Sequence, residues 1–195
     1  MKYVLATAPA IEPVTLAEAK IWARQDIDID DALFTALNTA ARQSAEQFLD
    51  GRVLISQDWK VYLDLCEFMD AMTCRKLVLP KRELISVASI RYRAASDQAL
   101  ADFVTWDASN YLIDTVGGRI LLAQAGSLPT VYGPYESCVE ITFKAGYGDA
   151  ADKVPEPIKS AIKVHIAAMY ENRAADAAMP DASKLLLTPY RVMSV

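Results

Sequence analysis

The 195-residue chain is 53% hydrophobic and 23% charged, with nine Tyr and three Trp, a composition that excludes disordered and fibrous proteins. Its net charge of −5 argues against a DNA-coating surface, which needs clustered Lys and Arg. No apolar run reaches the ~20 residues of a membrane-spanning helix, and the first ten residues, with one Lys and a short apolar stretch, do not compose a signal peptide.

The three cysteines, Cys66, Cys74 and Cys138, are odd in number and irregular in spacing. They read as reduced, mostly apolar side chains rather than a disulfide framework. With a single histidine and no C-x-x-C, no zinc site is expected. A chain of this length buries roughly 70% of its extended surface and needs neither staple.

In chain order, Thr15 and Glu18 form a capping box ahead of a helix running to about Arg24. A second helix is predicted from Asp28–Asp31 to Asp50-Gly51, with Leu33, Leu37, Ala41, Ser44 and Phe48 as its apolar stripe and Gly51 as a left-handed C-terminal cap. From Arg52 to Ala145 the pattern turns to strands: Val53–Leu63, Lys76–Pro80, Ile85–Tyr92, Tyr111–Asp114, Arg119–Leu122 and Val139–Lys144. Gly117-Gly118 suits a tight hairpin. Glu67–Thr73 and the Gly/Pro-marked stretch around Gly126, Pro129, Gly133 and Pro134 read as loops. Pro155 and Pro157 open a third helix whose buried face is Ile158, Ala161, Ile162, His165, Ile166 and Met169, ending near Arg173. An Ala-rich connector, Ala174–Ala182, leads to an apolar, aromatic end, Leu185–Val192.

Strands between two helical blocks imply an α+β protein: a helical bundle of N- and C-terminal helices with an inserted, mainly antiparallel β-rich subdomain. The expected organisation is a single domain in which 13–51 and 155–175 are the helical part, 52–148 the β-rich part and 183–195 a C-terminal interaction tail. Leu33, Leu37, Phe48, Ile158, Ile162 and Ile166 are expected to lie together in the helical core.

No motif composes a catalytic centre. Asp26-x-Asp28-x-Asp30 opens like a calcium loop, but Asp31 stands at the sixth position and Leu37 at the twelfth, so these carboxylates read as helix-start charges and caps. Gly146-Tyr147-Gly148 lacks the third glycine of a dinucleotide site and the lysine of a P-loop, and reads as the end of a strand. His165 reads as a packed or interface residue, Glu171 and Asp176 are isolated carboxylates, and no G-x-S-x-G is present. The expectation is therefore no enzyme, no cofactor and no metal. The tail residues Leu185, Leu186, Leu187, Pro189, Tyr190, Arg191 and Val192 are the candidate site: so apolar an end must dock, on its own core or on a neighbouring chain. Pro189 stops a regular helix there, and Tyr190 and Arg191 are residue types enriched at hot spots.

Several segments, taken together in order, resemble the head–tail connector (adaptor) proteins of long-tailed phages, prophages and gene-transfer agents. They are Pro13–Lys20 with Arg24, then Asp31, Ala41-Arg42, Glu46, and Gly51–Gln57 with Trp59. Leu77–Pro80, Ile85–Tyr92, Phe143–Gly148, Val154–Lys159, Tyr170–Arg173 and Leu185–Val192 follow. The pattern departs within Gln124–Ser137, where Leu128-Pro129 stands in place of a Trp-Pro pair.

The resemblance implies a structural virion protein, or its prophage or gene-transfer-agent counterpart. Such a protein forms a homo-oligomeric ring, expected to be a dodecamer, between the portal protein and a tail-side stopper or tail-completion protein. The ring extends the DNA channel, and DNA passes without specific binding. It implies location at the head–tail interface of the virion, in the host cytoplasm during assembly, with no membrane contact. The alternative class is a small cytoplasmic α+β enzyme or ligand-binding domain, which would show a concave pocket with convergent polar groups and a perturbed titrating residue.

Overall fold

The structure, a computed structural model, describes residues 1–26, 28–94, 103–131, 136–172 and 178–191. Its elements are β1 (Lys2–Thr7), α1 (Leu16–Trp22), α2 (Asp31–Phe48), β2 (Gln57–Leu63), α3 (Leu65–Thr73), β3 (Lys76–Val78), β4 (Leu84–Arg93), β5 (Phe103–Thr105), β6 (Tyr111–Asp114), β7 (Arg119–Leu122), β8 (Val139–Ala145), α4 (Glu156–Glu171) and α5 (Asp181–Leu187). The architecture is α+β with antiparallel sheets, as the order of patterns implied. Contacts divide the chain into two units: Met1–Ala8 with Gln57–Gly146, and Pro9–Ser56 with Tyr147–Val195.

The first unit holds both sheets. One has the order β1-β2-β8-β4-β5, the other β3-β7-β6. In the larger sheet the cross-strand rows Tyr3–Val61–Ile141–Ile90 and Leu5–Trp59–Phe143–Val87 share one face. Val61, Ile141, Ile90 and Phe143 are buried there. The rows of opposite parity, Lys2–Tyr62–Glu140–Arg91 and Val4–Lys60–Thr142–Ser89, belong to the other face, and the first of them carries its charged network. The hairpin β6–β7 turns at Gly117-Gly118 as its sequence suggests: Gly118 has a φ of 61°, and the Gly117 N–H donates to Asp114 Oδ1 at 2.8 Å.

Around the sheets the structure departs from the sequence reading in four places, one of them β5, which the strand pattern did not include. The first residues form β1. Glu67–Thr73 is not a loop but most of α3, opened by a capping box in which Asp64 Oδ1 accepts from the Glu67 N–H at 2.8 Å and Glu67 Oε2 from the Asp64 N–H at 3.2 Å. The strand expected from Val53 begins only at Gln57. Val53, Leu54 and Ile55 are buried consecutively without joining the sheet, because burial of their side chains does not require a ladder.

The second unit holds the helices. Thr15 Oγ1 accepts from the Glu18 N–H at 3.2 Å and Glu18 Oε2 from the Thr15 N–H at 2.8 Å, so the expected capping box opens α1. At the end of α2, Asp50 and Gly51 take φ values of 54° and 89°, the left-handed exit expected of the glycine. The core contains Val14, Phe34, Ala41, Ala45, Leu49, Leu54, Ile158, Ile162, Ile166 and Leu187.

Ile158, Ile162 and Ile166 lie where expected, while Leu37 and Phe48 are only half-buried against the core. The buried stripe of α2 is Phe34, Asn38, Ala41, Arg42 and Ala45. Leu33 and Ser44 are half-buried instead. The stripe turns this way because its polar members are satisfied. Asn38 Nδ2 donates to the Val14 carbonyl at 2.6 Å. Arg42 donates to Glu12 Oε2 at 2.7 Å and to Glu46 Oε2 at 2.9 Å.

Candidate interaction surfaces

The C-terminal segment is built on a short helix. Pro180 precedes α5, and Ser183 Oγ donates to the Ala161 carbonyl of α4 at 2.9 Å. The helix places its three consecutive leucines at three depths. Leu187 is fully buried in the core of its own unit, Leu186 packs half-buried against that core, and Leu185 is 73% exposed. Pro189 then sits in a 3-10 turn, Thr188–Tyr190, so the regular helix stops where its ring requires. Tyr190 packs half-buried against the core. Arg191 pairs with Asp50 at 2.8 Å, and its guanidinium lies 5.5 Å from the centre of the Phe48 ring. Pro189 and Arg191 are exposed, and Val192 lies outside the described residues.

The other candidate motifs take structural places. Asp28 and Asp31 share Lys20 Nζ, at 2.7 Å each. Asp30 makes no side-chain cap on α2; its carboxylate accepts from the Tyr170 hydroxyl at 2.7 Å. Gly146 and Gly148 close β8, with φ values of 141° and 150°. The Ser56 N–H donates to the Gly148 carbonyl at 3.0 Å. His165 is 2% exposed on the inner face of α4, next to an open recess lined by Ser44, Gln47, Phe48 and Met179. Glu171 is exposed at the end of α4, and Asp176 lies outside the described residues. Among the described residues, no group of three or more His, Cys, Asp or Glu is placed to hold a metal ion, and no helix is long and apolar enough to cross a membrane.

Two surface features of the first unit were not legible in the sequence. On the face opposite the apolar rows, Glu140, itself only 6% exposed, accepts from Lys60 Nζ at 3.3 Å, the Tyr62 hydroxyl at 3.0 Å and Arg91 Nη1 at 3.4 Å. Burial pushes the Tyr62 hydroxyl above its ordinary pKa, and the Glu140 carboxylate beside it adds to the shift. The Tyr62 side of this network borders a shallow recess lined also by Met1, Lys2, Asp64, Glu67 and Glu136. The second feature is β1. All six of its residues are exposed, including Tyr3 and Val4 at 53% each and Leu5 at 41%. Tyr3 meets Trp59 edge-on at 6.0 Å between ring centres. Lys81 Nζ stands 4.8 Å from the Tyr3 ring centre and 4.2 Å from that of Trp59.

No family model matches the chain, and no curated protein matches it by sequence. Solved structures do match its fold. A chain from the neck of an empty GTA particle, computed with C6 symmetry, is similar at a TM-score of 0.75 and 23% identity, covering 100% of this chain and 97% of that one. A chain from the virion of a native gene transfer agent (GTA) particle is similar at 0.77 and 23%, with the same coverage. A chain from the neck of a native GTA particle, computed with C12 symmetry, is similar at 0.72 and 24%, again covering 100% and 97%. The chain therefore shares its fold, from end to end, with chains of gene-transfer-agent particles.

Proposed function

We propose that this chain is a structural protein of the neck of a phage or gene-transfer-agent particle. It forms a homo-oligomeric ring, a dodecamer, between the portal protein and a tail-side stopper or tail-completion protein. The observation that carries this reading is the end-to-end likeness to chains of particle necks with cyclic symmetry. On this reading the protein resides at the head–tail interface of the virion and passes through the host cytoplasm during assembly.

A ring joins two different surfaces of each subunit, so its contacts are heterologous. A net charge of −5 suits a wall past which DNA slides, since phosphate affinity comes from Lys and Arg. The protein acts by binding and not by catalysis. His165 is buried, and the Glu140 carboxylate is engaged by Lys60, Tyr62 and Arg91.

The C-terminal segment is the proposed contact with the portal or a neighbouring subunit. Leu187 holds α5 on its own unit, while Leu185, Pro189 and Arg191 offer an exposed edge with half-buried Leu186 and Tyr190 beside it; Val192 continues the segment. The test is the mass of the full chain by light scattering, alone and mixed with a portal protein. The reading expects a complex of ring mass with the portal. A chain that never joins the portal overturns it. The variant Leu185→Asp, folded but excluded from that complex, is expected if the tail makes the contact.

A further inference from the structure

We infer that β1 is the strand by which one copy of this chain adds onto a second copy, its free edge pairing with the β6 edge of the neighbour. The inference rests on the ring reading above and names the two surfaces that such a ring needs.

Three observations converge on this pair. First, β1 and β6 are terminal strands of two different sheets, so each leaves one row of backbone donors and acceptors without a strand neighbour among the described residues. Proteins that must stay monomeric blunt such edges with charge, proline or irregularity. Over Lys2–Leu5 the pairing of β1 with β2 is regular, and the bulge comes only between Leu5 and Thr7.

Second, both edges expose large apolar side chains. Tyr3 and Leu5 continue the apolar face of the larger sheet, yet remain 53% and 41% exposed. On β6, Leu112 is 60% and Ile113 40% exposed. Of β6, Tyr111 packs against Trp106 at 5.2 Å between ring centres and is half-buried, which leaves Leu112 and Ile113 as the exposed pair.

Third, the charges are opposite. β1 contains Lys2 and no carboxylate; β6 ends in Asp114 and contains no cation. Lys2 has an exposed partner, Glu136, which exchanges at little cost; Asp114 is half-buried and keeps Arg119 and the Gly117 N–H as partners, so it offers its end of β6 a fixed negative charge. Antiparallel pairing that sets Lys2 opposite Asp114 brings Val4 opposite Leu112. Because β1 meets β6 and not another β1, the contact is heterologous and propagates around a ring.

The test uses the full chain with Cys66→Ser and Cys74→Ser, which removes the exposed thiols. Val4→Cys and Leu112→Cys are made separately in this background. The two proteins are mixed at millimolar concentration, oxidised and separated without reductant, while light scattering gives the mass of the unmodified protein. The expected result is a covalent dimer in the mixture and none from either protein alone. A chain carrying both cysteines should give a ladder of covalent oligomers. A dimer from the Val4→Cys protein alone would show β1 pairing with itself across a two-fold axis, which overturns the inference. Oligomers by mass without the mixed cross-link also overturn it and leave the ring reading standing. A chain that stays monomeric at that concentration overturns it too, because copies of this chain must suffice; the ring reading then keeps its own portal-mixing test.

Discussion

Arg191 donates from Nε to Asp50 Oδ2 at 2.8 Å, although the two are 141 positions apart. Their side chains are 51% and 48% exposed, so this pair guides the end of the chain more than it stabilises it. The anchor is Leu187, which is fully buried in the core. Leu187→Ala should cost about 2–5 kcal/mol, as deletion of a buried leucine side chain does. Leu185→Ala should stay within about 0.5 kcal/mol. Denaturant unfolding of the two variants checks the contrast. Deletion from Ser183 onward should likewise lower the melting temperature, because it removes Leu187 along with the exposed edge.

Arg42 is the second test of the helical unit. Its side chain is 5% exposed between Glu12 and Glu46, themselves 22% and 13% exposed. Glu46 also accepts from the Leu54 N–H at 3.1 Å, so the same carboxylate fixes the chain leaving α2. Arg42→Ala removes the cation that both partly buried carboxylates share, and should cost about 3–5 kcal/mol. The double variant Arg42→Met with Glu12→Gln, which removes one charge of each sign, should recover part of that loss in the same melting experiment.

Acid should weaken the start of α1. The Thr15 backbone and hydroxyl hydrogen bonds, with Lys163 beyond them, hold Glu18 below its ordinary carboxylate pKa. A depressed carboxylate stabilises the fold above its unfolded value, about 4.3, and the contribution is lost as pH falls through the folded pKa. Glu18→Gln can keep the capping hydrogen bond without the charge. Melting temperatures of the two proteins should differ from neutrality down to about pH 5 and converge only as pH falls below the depressed folded pKa of Glu18.

The cysteines should divide two to one. Cys66 and Cys74 are exposed, while Cys138 is buried. Burial pushes the Cys138 thiol above its ordinary pKa, and Sγ donates to the Leu63 carbonyl at 3.6 Å. Titration with an aromatic disulfide reagent should find two fast thiols in the native protein and the third only in denaturant.

The sequence was most readable where one local signal decides the structure. The Thr15–Glu18 box, the Gly117-Gly118 turn and the alternation of Val139–Lys144 each name their element without help from distant residues. The α3 helix carried such a signal as well: Asp64 and Glu67 stand three apart, and Leu65, Phe68 and Met72 follow at helical spacing. β1 carried none. Tyr3, Val4 and Leu5 put apolar groups on both faces, and the partner strand begins some fifty residues later. The phase of the α2 stripe was hidden for a different reason. A hydrophobic template passes over Asn38 and Arg42, whose burial depends on acceptors supplied by Val14, Glu12 and Glu46. The candidate tail was visible as an apolar end, but its division into an anchored Leu187 and an exposed Leu185 depends on the helix that carries them.

The interleaving of the two units also sets an order of events on the ribosome. The first unit has all of its residues once Gly146 has been made, whereas α1 and α2, synthesised earlier, must wait for α4 and α5 before their core can close. Closing that core spans the whole intervening segment, a longer loop than the one between β1 and β2 in the sheet, so the largest closure falls on the helices. Once Gly146 has cleared the ribosome the β unit can close, while the apolar stripe of α1 and α2 is still open. Leu187 and the rest of α5, made after α4, decide when that stripe is sealed.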